Sequence, residues 1–281
     1  MKKIIKSGIR QLINVLAVLM GKTIVGRYFY AQVIKNAMNQ TQRVDHAGLS
    51  LIFSVSNPFN KYRADSFSTK EPETLEWIDG IAEGSVLWDI GANVGLYSCY
   101  AAKHRGARVF AFEPSVFNLE SLARNIFING LVERITIVPL PLSDTLAVNR
   151  LNMTNTEWGG AMSTFGQDYG HDGEVLDKVF EIPTIGLSMV DAVELLKIPQ
   201  PDYIKMDVDG IEHLILKGGL PVLSKAQGVI IEINDQFASQ ASEAELYLQQ
   251  AGFSLKEKRH ADYFDTVTTA ARYTYNQIWV K

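Results

Sequence analysis

The stretch that most constrains the chain runs Val86-Leu87-Trp88-Asp89-Ile90-Gly91-Ala92-Asn93-Val94-Gly95-Leu96-Tyr97-Ser98. An apolar run ends in an acid, turns through Gly91, Asn93 and Gly95, and continues with helical spacing. A buried strand here delivers Asp89 near its carboxyl end. Gly91 lets backbone approach closely, and Gly95 lets the next helix pack tightly on the sheet. The unpaired N–H groups at the helix start leave a polar crevice suited to a ligand.

Glu113 is the second half of the signal. It follows the apolar run Arg108-Val109-Phe110-Ala111-Phe112 and lies 22 positions after Gly91. An acid ending a second parallel strand about 20 residues past the glycines can accept hydrogen bonds from both hydroxyls of a ribose. The spacing is Gly-x-x-x-Gly, not the Gly-x-Gly-x-x-Gly of dinucleotide enzymes, and there is no Gly-x-x-x-x-Gly-Lys-Ser/Thr loop. The pattern therefore points to a nucleoside carried without a pyrophosphate, which S-adenosylmethionine satisfies.

Charge narrows the partners. With 27 basic and 31 acidic residues the net charge is −4, which argues against a broad nucleic-acid footprint. Cys99 is the only cysteine, so no intrachain disulfide forms. It sits in an apolar helical run and reads as core. A reducing, cytoplasmic setting is compatible with that usage.

The first 20 residues carry Lys2, Lys3, Lys6 and Arg10 with Ile5, Ile9, Leu12, Ile13, Leu16 and Leu19 at helical spacing. Gly21-Lys22-Thr23 is a poor signal-peptide cleavage site, and the apolar run is too short to span a bilayer. An amphipathic helix remains. Docking on its own domain or on a partner chain is the first expectation, and peripheral contact with the inner surface of a membrane is the second.

Residues 1–70 read as this helix plus a cap, with a strand at Leu49–Val55, and residues 71–281 as the main domain. Glu71–Ile81 is expected to be helical, capped by Ser68 or Thr69. Strands are expected at Ser85–Ile90, Ala107–Phe112, Ile135–Leu140, Asp202–Asp207 and Gly228–Ile233. Helices alternate with them at Val94–His104, Ser115–Ile128, Val190–Leu196, Ile211–Lys217 and Ser242–Gln250. This alternation predicts an α/β fold: a mostly parallel sheet covered by helices on both faces. Phe253–Glu257 and Gln277–Val280 are expected to add two antiparallel strands at one edge. The glycine-rich segment Asn152 to Val175 breaks the rhythm and reads as an irregular lid or acceptor-binding loop, or as disorder, with Trp158 and Phe165 as apolar anchors.

With these residues in view, the chain from about Glu83 to Lys281 resembles the FkbM family of S-adenosylmethionine-dependent methyltransferases. The resemblance rests on Asp89-Ile-Gly91-Ala-Asn93-Val-Gly95, Phe112-Glu113-Pro114, Asn125 through Asn129-Gly130, Leu142-Ser143-Asp144, Lys205-Met-Asp207-Val-Asp209-Gly210-Ile-Glu212, Ile231-Glu232 and Asn276-Gln-Ile-Trp279. Asp209 stands where the family more often has Glu, and Leu187-Ser188 where it often has Leu-Asp. The resemblance implies a Rossmann-like seven-stranded sheet and methyl transfer to oxygen on a sugar or other small hydroxylated acceptor. It also implies that Asp89, Gly91, Asn93 and Gly95 line the methionine end of the donor, that Glu113 holds its ribose, and that Ser143 and Asp144 edge its adenine.

Transfer from a sulfonium needs alignment of the acceptor and, for an alcohol, a proton acceptor within hydrogen-bond reach. Asp207, Asp209 and Glu212 are the catalytic candidates. Asp207 has a second role open to it as ligand of the donor's amino group, and Glu212 as an acid in a helix's first turn. Lys205 shares a strand side with Asp207; His213 reads as an ordinary packed histidine. Asp207, Glu232 and Asn234 end neighbouring strands and form an alternative oxygen site for Mg²⁺, although no metal is the primary expectation. A nicotinamide-dependent enzyme and a non-catalytic cofactor- or glycan-binding protein are the competing readings.

Overall fold

The computed structural model of the protein describes residues 2–261, 264–265 and 270–281. Two helices, α1 (Lys2–Gly21) and α2 (Ile24–Met38), precede a hairpin of β1 (Thr41–His46) and β2 (Leu49–Ser54). Helices α3 (Pro58–Asp65) and α4 (Pro72–Gly80) lead into the sheet domain. There β3 (Val86–Ile90), α5 (Leu96–His104), β4 (Arg108–Phe112), α6 (Val116–Ile128) and β5 (Ile135–Val138) alternate. After an insertion of β6 (Ala147–Met153), β7 (Ser163–Phe165) and β8 (Phe180–Gly186), the chain continues through α7 (Met189–Glu194), β9 (Tyr203–Met206), α8 (Glu212–Lys217) and α9 (Leu220–Leu223). It ends with β10 (Gly228–Asn234), α10 (Ala238–Gln250), β11 (Ser254–Arg259) and β12 (Thr274–Val280).

The main sheet has seven strands in the order β11-β12-β10-β9-β3-β4-β5. Strands β10, β9, β3, β4 and β5 run parallel, and β12 pairs antiparallel with both β10 and β11. This is the expected α/β architecture, including its antiparallel edge. The order reverses direction beside β3: β4 lies on one side and β9, reached much later in the chain, on the other. At such a switch point the strand ends splay into a crevice.

Strand alternation divides the core in two. Trp88, Ile90, Ile204 and Met206 face one layer with the insertion and helices α7–α10. Leu87 and Val109 face the other, which holds α5, α6, Cys99 and the cap residues Leu51, Phe53 and Phe67. Residues 41–70 therefore contribute Leu51, Phe53, Ala64 and Phe67 to the sheet domain's own core. Asn129 donates to and accepts from the Ile52 backbone, and Asn125 bridges Ser54 N and Val94 O, so those two asparagines fasten the cap to α6.

Three expectations are corrected. The segment 152–175 is not an irregular loop throughout: Ala147–Gly186 contains a three-stranded antiparallel sheet in the order β7-β6-β8. β6 runs Ala-Val-Asn-Arg-Leu-Asn-Met, with apolar residues on both of its faces, so the period-2 signal is faint. The α4 N-cap is Glu71, with no side-chain cap bond, rather than Ser68 or Thr69; Pro72 sets the first helical φ instead. Finally, the described side chains of α1 do not bury their apolar stripe on the domain. The helix packs with α2 in an elbow bent by 117°, and Leu12 and Leu16 are 60% and 51% exposed.

Candidate active site

A cavity of about 340 Å³ opens at the switch point. The ends of β3 and β4 form one wall. Gly91 N and Ala92 N both donate to Phe112 O at 3.0 Å, and Asp207 N donates to Ile90 O at 2.9 Å. These bonds carry the sheet pattern past the last strand residues and fix the turn. Gly91 has φ +82°, and a Cβ there would lie 1.8 Å from Asp207 O, so any side chain would push the β3 and β9 ends apart.

Glu113 closes this wall. It is 5% exposed, and its two oxygens accept from Asn93 N and Ser115 N, each at 2.8 Å. Burial pushes its carboxyl up to about 7, against the pull of those two N–H groups. Asn93 adopts left-handed φ 51°, and its Nδ2 donates to Gly160 O at 2.8 Å. Its buried Oδ1 has no partner. A nucleoside with vicinal hydroxyls fits this wall: a buried carboxylate with lone pairs to spare, an orphaned amide oxygen, and a glycine turn all line one cavity.

Beneath the wall lies a second layer. Asp89 is buried, accepts from Ser98 Oγ at 2.5 Å and sits 3.4 Å from Lys205 Nζ. Lys205 also stands 3.7 Å from Asp207. Burial alone would lower the Lys205 pKa, but Asp89, Asp207 and Glu71 overcome it and hold the ammonium charged. Asp89 thus orients Lys205 and, through it, Asp207.

Opposite Glu113, carboxylates from distant segments converge. One oxygen each from Glu71, Asp207 and Glu232 all lie within 4.8 Å of one another. Burial tends to raise Glu71, yet Lys70 and then Lys205 outweigh it and keep the carboxyl at about 2. Glu232 is driven the other way: burial, then the charges of Asp207 and Glu71, raise it well above the carboxylate range. Asp209 is raised by burial and by Asp207. Its backbone is left-handed at φ 64°, and its Oδ2 accepts from Met162 N at 2.7 Å and Ser163 N at 3.3 Å. Asp209 therefore holds the insertion across the cavity mouth, helped by Arg63 and Asn118, which bond Gly159 at 2.9 and 3.0 Å.

The sequence-based site residues divide accordingly. Gly91, Asn93, Glu113, Asp207 and Asp209 line the cavity. Asp89 lies below it. Gly95 packs α5 against α6, where a Cβ would meet Leu122 Cδ1 at 2.3 Å. Ser143 and Asp144 are displaced from the lining: Leu140, Pro141 and Leu142 take that wall, and Asp144 pairs outward with Lys217 at 3.3 Å.

Glu212 is corrected as a catalytic residue. It is 2% exposed, and its oxygens accept from Val208 N, Gly210 N and Gln240 Nε2 at 3.0, 3.0 and 2.5 Å. It clamps the Asp207–Gly210 turn and does not line the cavity. His213 packs against Phe237. The alternative metal triad is corrected as well. Asn234 Oδ1 accepts from Gln236 N and Glu71 takes its place beside Asp207 and Glu232. Lys70 and Lys205 already neutralise Glu71 and Asp207, which weakens the case for Mg²⁺.

Comparison with known proteins now bears on the geometry. The family model for the methyltransferase FkbM domain matches residues 89–255, more than half of the chain. The chain belongs to the FkbM methyltransferase family. It is an S-adenosylmethionine-dependent methyltransferase, as the family is. Among curated relatives, the hexuronic acid methyltransferase AglP of Haloferax volcanii is 28% identical over 202 residues, covering 67% of this chain and 72% of that protein. The 31-O-demethyl-FK506 methyltransferase FkbM of Streptomyces tacrolimicus is 26% identical over 156 residues, 48% of this chain and 59% of that one. The crystal structure of an FkbM methyltransferase from Methylobacillus flagellatus aligns with a TM-score of 0.48 at 17% identity, covering 72% of this chain and 44% of that one.

Glu71 and Glu73 were missed in the sequence as site residues. Nothing in the local pattern at the start of α4 marks them, because their placement arises only once α4 packs beside β12, where Asn276 Nδ2 donates to Glu73 Oε1 at 2.7 Å.

Proposed function

We propose that this FkbM-family enzyme methylates a hydroxyl of a sugar residue or of a small hydroxylated metabolite. The observation that carries the proposal is the meeting of Asp207 and Glu232 in the same cavity as Glu113. When bound, S-adenosylmethionine supplies a methyl group on a sulfonium centre, already activated for displacement. What remains for the chain is to hold the acceptor in line and to take its proton.

Glu113 and Asn93 hold the donor's ribose side. Asp207, beside Gly91, orients the acceptor hydroxyl at the boundary between the two halves. Glu232 in its ionised form receives the proton, for which burial and its like-charged neighbours Asp207 and Glu71 raise its affinity. A polyhydroxylated ring suits the further carboxylates Glu71 and Glu73, which accept hydrogen bonds from neighbouring hydroxyls. The hexuronic acid named for the Haloferax volcanii relative makes a uronic-acid glycan the first acceptor to try, with Arg63 on the cavity wall as counter-ion for its carboxylate.

The test is transfer of labelled methyl from S-adenosylmethionine to a panel of neutral hexose glycans, hexuronic acid glycans and a hydroxylated macrolide. Alkali-stable label on a sugar carbinol oxygen is the expected product. Label released by mild alkali, which marks a methyl ester, or label on nitrogen would overturn the hydroxyl assignment.

A further inference from the structure

The catalytic cavity does not use the first two helices, which are built for a different task. Residues 1–38 contain seven Lys and Arg and no Asp or Glu, leaving 20 basic against 31 acidic residues in the rest of the chain. The charge of the whole molecule is therefore segregated, with a basic amino-terminal segment on an acidic body.

The apolar surface is segregated in the same way. Fourteen large apolar side chains between Ile9 and Ile34 are exposed, out of 32 in all the described residues. On α1, Ile9, Leu12, Ile13 and Leu16 form one stripe, while Arg10, Gln11 and Asn14 occupy the opposite face at helical spacing. On α2, Ile24 and Val25 are 79% and 78% exposed. The angle between the helices is specified by contacts. Thr23 Oγ1 donates to Met20 O at 3.0 Å and accepts from Gly26 N at 2.9 Å, and Tyr30 OH donates to Ala17 O at 2.7 Å. A Cβ on Gly26 would stand 1.9 Å from Met20 O, so only glycine permits so tight a corner.

We infer that the α1–α2 elbow seats the enzyme on the surface of an anionic lipid bilayer. Its apolar stripe enters the boundary between headgroups and acyl chains, and its basic residues meet lipid phosphates. The combination of a continuous apolar face with exclusively basic charge fits that occupant. A second copy fits less well, because a two-fold contact between elbows would bring like charges together. Among the described residues no single helix is long and apolar enough to cross a membrane, and the polar face of α1 keeps it at the surface.

The test is co-sedimentation of the full-length protein with phosphatidylglycerol/phosphatidylcholine vesicles and with pure phosphatidylcholine vesicles. We expect partition at least tenfold stronger on the anionic vesicles, weakened by salt and released by alkaline carbonate. The double variant Leu12→Glu, Leu16→Glu alters exposed positions only, and should lose at least tenfold in partition while keeping its melting temperature and its S-adenosylhomocysteine affinity. Four results would each overturn the inference: no partition of the folded wild type, equal partition on neutral vesicles, resistance to carbonate, or a wild-type dimer that the double variant dissociates without any lipid binding by the wild type.

Discussion

The two halves of the cavity are built by different means. The half facing Glu113 comes from two consecutive strand–turn–helix units, so its groups lie within one short stretch of chain and are fixed by backbone bonds: Gly91 and Ala92 to Phe112, and Asn93 to Glu113. The half facing Glu232 gathers Glu71 from before α4, Asp207 from the end of β9 and Glu232 from β10, and balances them with Lys70 and Lys205. The first is held by local geometry and the second by charge among residues far apart in sequence. The difference suits the proposed division of labour, in which one half holds a constant donor and the other meets a specific acceptor.

If the charged half supplies the proton acceptor, the largest effects fall there. Glu232→Gln and Asp207→Asn should each lower turnover by roughly 10²–10⁴-fold, the range of a lost general base; single-turnover methyl transfer at saturating donor checks this. Unchanged turnover in both variants would move the base elsewhere. Glu212→Ala attacks the turn that carries Asp207, leaving three donors unpaired at ~1–3 kcal/mol each. Urea unfolding should therefore show a loss of at least ~3 kcal/mol.

A third prediction compares the halves through pH. Glu113 and Glu212 are both raised by burial from 4.5 to about 7. A folded pKa above the unfolded one means stability is fully present below pH 4.5 and lost as pH rises through about 7. Each group accounts for up to about 3 kcal/mol across that window. Urea midpoints of the ligand-free protein should fall from pH 5 to pH 8 (roughly the ends of the window), and a rise would contradict the assigned burial. The smallest effect should come from Ser143→Ala and Asp144→Ala. Both lie off the cavity lining, and the exposed Asp144–Lys217 pair contributes less than ~1 kcal/mol, so S-adenosylhomocysteine affinity should stay within about twofold, well under the ~1.4 kcal/mol of a tenfold change.

The same comparison explains what could be read in the sequence. The β3 and β4 units announce themselves because a buried strand, a glycine turn and a helix start are short-range patterns. Their residues Gly91, Asn93 and Glu113 all line the cavity. Glu212 was misread because an acid after a glycine turn looks the same whether it faces a ligand or clamps the turn's own N–H groups. Glu71 was invisible because its meeting with Glu232 depends on long-range packing. The insertion was taken for a loop because Leu151, Met153 and Phe165 reach the main core while Val148 and Ile185 stand exposed, so apolar residues fall on both faces and no clean alternation marks the strands. For α1, periodicity gave the amphipathic helix but could not say what covers its apolar stripe.

The most direct test of a cavity divided in this way is calorimetric titration of S-adenosylhomocysteine into the wild type, Glu113→Gln and Glu232→Gln. Loss of a charge-assisted hydrogen-bond acceptor is worth ~1.5–3 kcal/mol, so Glu113→Gln should weaken binding by roughly 10–150-fold while Glu232→Gln leaves it within about twofold. Equal weakening by both variants, or wild-type affinity in Glu113→Gln, would contradict the division and with it the assignment of the donor to the Glu113 side.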